Sequence, residues 1–221
     1  MSAAAETLYT SELSPFGARL RLAAAFTGRQ NLQIIVPPGG TGSAEMKQIN
    51  PFGQVPTLVV DGTVLIESLA LLEFFAETGT ANSLMPHSAS ARARIRGIAR
   101  AHDNQVIIAM APIFLQLRAP APDEGIIKAT FDLVTAKLTA LITLFDPIGF
   151  AVGGALSITD LAIIPFASLI NALASRFNQI SPYTTIPRLV DWRATVAAIP
   201  EVAHELTRHR AAMAKVFSTA L

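Results

Sequence analysis

Three short segments in the first third of the chain place polar side chains and prolines at the beginnings of helices and strands. Ser14 comes directly before Pro15, which pairs a residue favoured at a helix N-cap with proline at the first helical position. Pro56 stands at the entry of an apolar run, and Glu67 and Ser68 stand at the start of a second helical pattern. A hydroxyl and the free N–H groups at the positive end of a helix both stabilise an anion. These residue types therefore favour the binding of anionic groups at helix ends.

The elements that position these segments follow the order β-α-β-(α)-β-β-α. The predicted strands cover residues 7–10, 32–36, 57–60 and 63–66, and the predicted helices cover residues 15–28, 44–48 and 68–77. Asp61-Gly62, between the last two strands, is a strong signal for a two-residue hairpin turn. We expect Arg19, Arg21 and Arg29 to mark the exposed side of the first helix.

The rest of the chain is predicted to be helical. We expect one domain over residues 1–82 and a second over residues 91–221, joined by a linker at 83–90. Ser157 and Asp160 form a capping box, which predicts the start of a buried helix.

Composition excludes several classes of protein. Of the 221 residues, 51% are hydrophobic and 15% are charged, which is typical of a folded chain with a large core. The longest uncharged stretches, 161–175 and 104–117, fall short of the roughly 20 residues of a membrane-spanning helix, and a proline interrupts each. A net charge of +1 provides no field for nucleic acid. The first six residues lack the pattern of a signal peptide, so we expect no membrane association and a cytoplasmic location.

Metal and cysteine chemistry are also disfavoured. The chain has no cysteine, which excludes disulfides, thiolate zinc sites and a cysteine nucleophile. His204 and His209 resemble a helical zinc motif, but they are five positions apart instead of four and do not share a helix face. We expect no metal site.

Taken together, segments 13–21, 50–58 and 66–70 resemble the glutathione transferases, and segments 187–192 and 199–202 resemble the late helices of that family. The resemblance spans the whole chain. It implies an α/β, thioredoxin-like N-terminal domain that binds glutathione, followed by an all-α C-terminal helical domain.

The resemblance assigns glutathione contacts to the first domain. It implies a cis bond at Val55-Pro56, so that the Val55 N–H and C=O pair with the cysteinyl part of glutathione like an added strand. Glu67 accepts from the γ-glutamyl ammonium, and Ser68 with the free helix N–H groups holds the γ-glutamyl carboxylate. Gln54 is a further contact to the peptide.

Ser14 is the expected catalytic residue. The glutathione thiol has a pKa of about 8.5, so only a few per cent is thiolate at neutral pH. The Ser14 hydroxyl is expected to donate to the sulfur and stabilise the anion. Two alternatives remain open: Ser14 only caps the helix, or Ser11 is the thiol partner. Tyr9, where tyrosine-type transferases keep their hydroxyl, is interpreted as a strand residue.

Departures from the family patterns limit the assignment to a class. Omega-like members have cysteine where Ser14 stands, so mixed-disulfide chemistry is disfavoured. Zeta-like isomerases carry a Ser-Ser-Cys-Ser run, whereas this chain has Pro15, Phe16 and Gly17 after Ser14. Maleylacetoacetate isomerase activity is therefore allowed by the sequence but not indicated by it.

The leading hypothesis is a dimeric detoxification transferase that uses glutathione as co-substrate and directs its thiolate at an apolar electrophile. The reaction would be substitution or conjugate addition. The alternatives are a glutathione-dependent isomerase or ether-cleaving enzyme, and a non-catalytic binding scaffold. The electrophile pocket is expected between the domains, lined by apolar side chains: Leu13, Phe16, Ile107, Met110, Phe114, Leu117 and Phe166.

Two features relate to a partner subunit. Phe52 is expected to insert between helices of the partner, and Asp103 is a candidate to touch the glutathione of the neighbouring subunit. Four arginines on the first helix after the linker form either a solvated or subunit-facing surface or a positive wall that steers glutathione: Arg92, Arg94, Arg96 and Arg100.

Overall fold

The computed structural model describes residues 5–80 and 84–219. A four-stranded sheet in the order β2-β1-β3-β4 forms the centre of the first domain. Its strands are β1 (Glu6–Tyr9), β2 (Gln33–Ile35), β3 (Thr57–Val60) and β4 (Thr63–Leu65). The β1 strand pairs in parallel with β2 and antiparallel with β3, and β3 pairs antiparallel with β4. Asp61 and Gly62 take positive φ angles of 47° and 81° in the predicted hairpin turn.

Three helices complete this domain at the predicted places: α1 (Pro15–Phe26), α2 (Ala44–Ile49) and α3 (Ser68–Thr78). Ser14 is the N-cap of α1, and its Oγ accepts a hydrogen bond of 3.0 Å from the Gly17 N–H. The β-α-β-α-β-β-α order is confirmed, and with it the thioredoxin-like α/β architecture.

The second part of the described chain is helical throughout, as predicted. Its helices are α4 (Ala89–Ala101), α5 (Ala111–Gln116), α6 (Glu124–Ile142), α7 (Ile158–Arg176), α8 (Pro182–Thr185), α9 (Pro187–Ala197) and α10 (Pro200–Thr219). A π-helical turn at His102–Ile107 continues from α4. Residues 81–83, at the predicted domain boundary, lie outside the described residues, and α4 already begins at Ala89.

Helix α7 is the central helix of this part. The predicted capping box is present, with the Asp160 carboxylate accepting from the N–H and the hydroxyl of Ser157, both at 2.9 Å. The same carboxylate accepts from the Ala151 N–H and the Trp192 indole N–H, each at 2.8 Å, so a buried charge is fully hydrogen-bonded. By length and composition α7 is the one described helix apolar enough to cross a membrane, although 78% of its apolar window is buried inside the protein.

The arginines of α1 correct one prediction. Arg19 and Arg21 are buried, not exposed, because each guanidinium pairs with a carboxylate from the helical part of the chain. Arg19 donates to both oxygens of Asp103, and Arg21 donates to Glu205 at 2.6 Å. Arg29, half-buried, pairs with Glu6 instead. Charged residues on α1 therefore join the two parts of the chain, where periodicity alone predicts a solvent-facing side.

The ion pair of Asp103 with Arg19 predicts an acid-dependent loss of stability. Burial alone would raise the pKa of Asp103, but hydrogen bonds and charge from Arg19 and His102 outweigh it and lower the pKa to about 2. A carboxylate with a depressed pKa stabilises the fold above its unfolded-state pKa, and this contribution is lost as the pH falls towards 2. Between pH 5 and pH 2 the free energy of unfolding should fall by about 2 kcal/mol more in the wild type than in Asp103→Asn.

Urea unfolding at a series of pH values measures this difference. Asp191→Asn, an exposed carboxylate on α9, is the matched control and should follow the wild-type profile. Parallel profiles for the wild type and Asp103→Asn would contradict the assignment.

Candidate functional site

A cavity of about 260 Å³ lies where the two parts of the chain meet. It is bounded by the segment that enters β3, the N-terminus of α3, the first turn of α1, and the end of α4 with the turn that follows it. The residues that line it are Phe16, Thr41, Asn50, Gln54, Val55, Pro56, Ile66, Glu67, Ser68, Leu69, Arg100 and Asp103.

The structure brings half of the predicted site residues to this cavity. All the residues predicted to contact glutathione line it, namely Gln54, Val55, Pro56, Glu67, Ser68 and Asp103, and so does Phe16. The remaining residues of the predicted electrophile pocket are not among its lining residues: Leu13, Ile107, Met110, Phe114, Leu117 and Phe166. Met110 and Phe166 are buried in the core, whereas Leu13 and Phe114 are each 38% exposed.

The segment before β3 presents unpaired backbone groups beside the cavity. The Asn50 amide holds it in shape by donating to the Gln54 carbonyl at 3.1 Å and to the Thr57 hydroxyl at 3.0 Å. The Val55-Pro56 bond is cis. Within the described residues, neither the N–H nor the C=O of Val55 has a hydrogen-bond partner. An extended peptide could pair with these groups like an added strand.

The beginning of α3 supplies the polar end of the cavity. Glu67 precedes the helix with a φ of 71°, a conformation that side chains other than glycine rarely adopt and that is often found at functional sites. The Ser68 hydroxyl accepts from Arg19 at 3.0 Å and keeps its own proton for donation. The first N–H groups of α3 and this hydroxyl are donors of the kind that could bind an anion.

Arg19 fixes Ser68 and Asp103 relative to each other. Its guanidinium lies 5.0 Å from the Phe16 ring centroid and 4.7 Å from that of Phe166. It also donates to the Ala162 carbonyl on α7 at 2.7 Å. The Asp103 carboxylate therefore forms an ion pair with Arg19 of the same chain, and it lines the cavity of that chain.

The arginines of α4 do not form one positive wall. Arg92 pairs with Glu77 at 2.8 Å, Arg94 with Asp146 at 2.7 Å, and Arg96 with Glu73 at 2.6 Å. Arg100 differs, because it lines the cavity and has no ion-pair partner in the described part of the chain. Arg100 precedes Asp103 by three residues, and side chains at this spacing are neighbours on a helix surface. From this spacing, the sequence could have predicted Arg100 beside Asp103 at the site.

Sequence reasoning also missed Thr41, Asn50, Ile66 and Leu69, which line the cavity without a motif of their own. Thr41 lies in a glycine-rich loop, and only the folded chain shows that this loop reaches the site.

Ser14 lies at the edge of this arrangement. It is half-buried at the N-terminus of α1 and is not among the lining residues, although Phe16, two positions later, is. Gly17 lets the strand end approach this turn, because a Cβ there would lie 1.8 Å from the Thr10 hydroxyl oxygen. Tyr9 lies on β1, as interpreted.

Comparisons with known proteins agree with this architecture. A sequence model described as "Glutathione S-transferase, N-terminal domain" matches residues 8–82. A relative from Caenorhabditis elegans named "Probable maleylacetoacetate isomerase" is 38% identical over 167 residues, covering 72% of this chain and 75% of the relative. The maleylacetoacetate isomerase of Mus musculus is 27% identical over 197 residues, covering 86% and 88%. A crystal structure of a rice GST in complex with glutathione, 23% identical, covers 99% of both chains with a TM-score of 0.79.

These relatives overturn the leading functional prediction. The chain was expected to be a detoxification transferase that consumes glutathione on an apolar electrophile. The relatives that cover most of its length are isomerases by name, which favours the alternative of a glutathione-dependent isomerase. The Ser-Pro-Phe-Gly segment at residues 14–17 departs from the zeta-like motif but does not decide the class, because identity along the rest of the chain carries more information than one four-residue segment.

The predicted family, in contrast, is confirmed. The matched domain, the fold and an identity of 38% over three quarters of the relative from Caenorhabditis elegans agree with one another. The chain belongs to the glutathione transferase family.

Proposed function

We propose that the protein is a glutathione-dependent isomerase that converts a cis double bond next to carbonyl groups, as in the maleyl group of maleylacetoacetate, into the trans form. The observation that carries this proposal is the 38% identity to a probable maleylacetoacetate isomerase over 72% of the chain. The cavity supports it, because the polar groups needed to hold a peptide thiol line one site.

Glutathione occupies the cavity along the segment before β3 in this proposal. The unpaired N–H and C=O of Val55 take its cysteinyl part, and Gln54 contacts the peptide. Glu67 accepts from the γ-glutamyl ammonium, and Ser68 with the N–H groups of α3 binds the γ-glutamyl carboxylate. Asp103 acts through Arg19, whose hydrogen bond orients the Ser68 hydroxyl.

Ser14 then donates to the thiol sulfur and favours the thiolate. The sulfur forms a bond to one olefinic carbon of the substrate, and the π electrons move to the adjacent carbonyl oxygen as an enolate. The former double bond is now single and rotates. The electrons return, the C–S bond breaks, and the trans olefin leaves with the glutathione thiolate restored. Since no atom is gained or lost, glutathione is a catalyst and not a reactant.

Arg100 favours an anionic substrate. A maleyl group carries a carboxylate on its double bond, and such a group gains from a cation that is not already neutralised. Among the described residues lining the cavity, Arg100 is the cation without a carboxylate partner. An apolar electrophile would make no use of it.

Turnover without consumption of glutathione is the first expected result. With maleylacetoacetate in hundredfold excess over glutathione, the wild type should convert all of the substrate while the concentration of free thiol stays constant. Absorbance follows the isomerisation, and a thiol-reactive dye measures the thiol. The control reaction uses S-methylglutathione, which has no free thiol, and it should show no isomerisation. Loss of one thiol per substrate would contradict the proposal.

Ser14→Ala tests the thiol partner. Loss of one charge-assisted hydrogen bond should raise the pKa of the bound thiol by about one to two units and leave glutathione affinity nearly unchanged. Turnover at neutral pH should then fall about 10- to 100-fold and recover partly at high pH. Thiolate absorbance as a function of pH measures the pKa. Ser11→Ala is the matched control, and if it alone raises the pKa, Ser11 is the partner.

We propose further that the protein is a cytoplasmic homodimer, since the cytosol keeps glutathione reduced. Phe52 supports a dimer. Its side chain, in the segment before β3, is 69% exposed, and a large exposed apolar side chain is typical of a protein interface. Light scattering at micromolar concentration should give twice the chain mass, and Phe52→Ala should weaken association. A monomeric wild type would contradict the dimer, whereas an intact Phe52→Ala dimer would contradict only the role of Phe52.

A further inference from the structure

The loop that precedes Ser14 is held by side chains from its own domain and from α10. Residues 11–13 have no regular secondary structure, yet the backbone carbonyls of Ser11, Glu12 and Leu13 each accept a side-chain hydrogen bond. The donors are Thr10, at the end of β1, Arg21, on α1, and His209, on α10. Carbonyls of an unsupported surface loop would instead be left to water.

The Arg21 guanidinium connects α10 to this loop. It donates to the Ser11 carbonyl at 3.0 Å and to the Glu12 carbonyl at 3.4 Å. On its other side it donates to the Glu205 carboxylate at 2.8 and 2.6 Å, and both side chains are almost fully buried. A buried carboxylate that pairs with arginine restricts the directions in which the remaining N–H groups point.

His209, one turn further along α10, reaches the next residue of the loop. Its Nε2 lies 3.1 Å from the Leu13 carbonyl, directly before Ser14. A carbonyl can only accept, so Nε2 carries the proton. Nδ1 is buried without a partner in the described residues, and burial lowers the pKa of this imidazole, which fits the neutral ring. His204, on the same helix, is exposed.

We propose that Glu205 and His209 of α10 are positioning residues, which hold the loop 11–13 so that the Ser14 hydroxyl meets the glutathione thiol. The inference rests on the role proposed above for Ser14. The function of α10 is then more than packing, because this helix sets the geometry around Ser14. Misplacement of a catalytic group by about 1 Å can cost a hundredfold in rate, so small shifts of this loop matter.

The test compares His209→Leu, His209→Gln and Glu205→Gln with His204→Leu as the matched control. His209→Leu removes the donor, while the amide of His209→Gln can still donate to the Leu13 carbonyl. We expect His209→Leu and Glu205→Gln to lower kcat about 5- to 50-fold, with KM for glutathione changed less than about twofold. The pKa of the bound thiol should rise in both. His209→Gln should recover most of kcat, and His204→Leu should match the wild type.

The outcomes separate this proposal from the proposed function. If Ser14→Ala raises the thiol pKa but His209→Leu and Glu205→Gln leave it at the wild-type value, α10 does not position the loop. If His209→Leu loses activity with an unchanged thiol pKa and His209→Gln is no better, His209 is only structural and the proposal is wrong. If Ser14→Ala itself has no effect, the role of Ser14 is wrong and the inference falls with it. Should His209→Leu not fold, the isosteric Glu205→Gln decides.

Discussion

The buried guanidinium of Arg19 is the constraint on which the site depends. A charge removed from water costs several kcal/mol unless it is paired and fully hydrogen-bonded. Arg19 meets this condition only by taking partners from both parts of the chain: Ser68 on α3, Asp103 after α4, and the Ala162 carbonyl on α7. These elements cannot shift independently without leaving the charge unsatisfied. The cavity between them is therefore assembled before any ligand arrives, and this preorganisation reduces the cost of binding.

Helix geometry explains how α1 serves both sides of the site. Residues two apart on an α-helix are separated by about 200°, so Arg19 and Arg21 leave α1 on nearly opposite sides. One guanidinium faces Asp103 and α7, and the other faces Glu205 and α10. Ser14 caps the N-terminus of the same helix. The same twelve-residue helix thus fixes Ser68 and Asp103, which line the cavity, and it also carries the Ser14 hydroxyl at its own N-terminus, which α10 is proposed to position.

The local features of this fold could be predicted from the sequence because their causes are local. The Ser14-Pro15 start of α1, the Asp61-Gly62 hairpin and the Ser157–Asp160 capping box depend on residues within a few positions of each other. The motifs before β3 and α3 likewise indicated residues that do line the cavity. The polarity of α1 was predicted wrongly, because Arg19 and Arg21 look solvent-exposed until their partners, 84 and 184 residues away, are known.

The second-substrate side of the site shows the same limit. The apolar spacing over residues 107–117, together with Phe166 of α7, predicts a pocket, but the same pattern is typical of core side chains, and Met110 and Phe166 are indeed buried in the core. The sequence does not distinguish Arg100 from the other three arginines of α4, because the carboxylates that pair with those three come from other segments of the chain. The residues proposed to bind glutathione do not distinguish conjugation from isomerisation, because both reactions begin with the same thiolate.

In the proposed mechanism, glutathione adds to the substrate and leaves it again without protonation of any carbon atom. The most direct measurement is the reaction of maleylacetoacetate in deuterium oxide, with the olefinic positions of the product followed by proton NMR. The proposed isomerisation should give a trans product without deuterium at either olefinic carbon and leave the amount of glutathione unchanged. An S-substituted glutathione that carries deuterium on the carbon next to the C–S bond would show that the enolate is protonated, and it would contradict this mechanism.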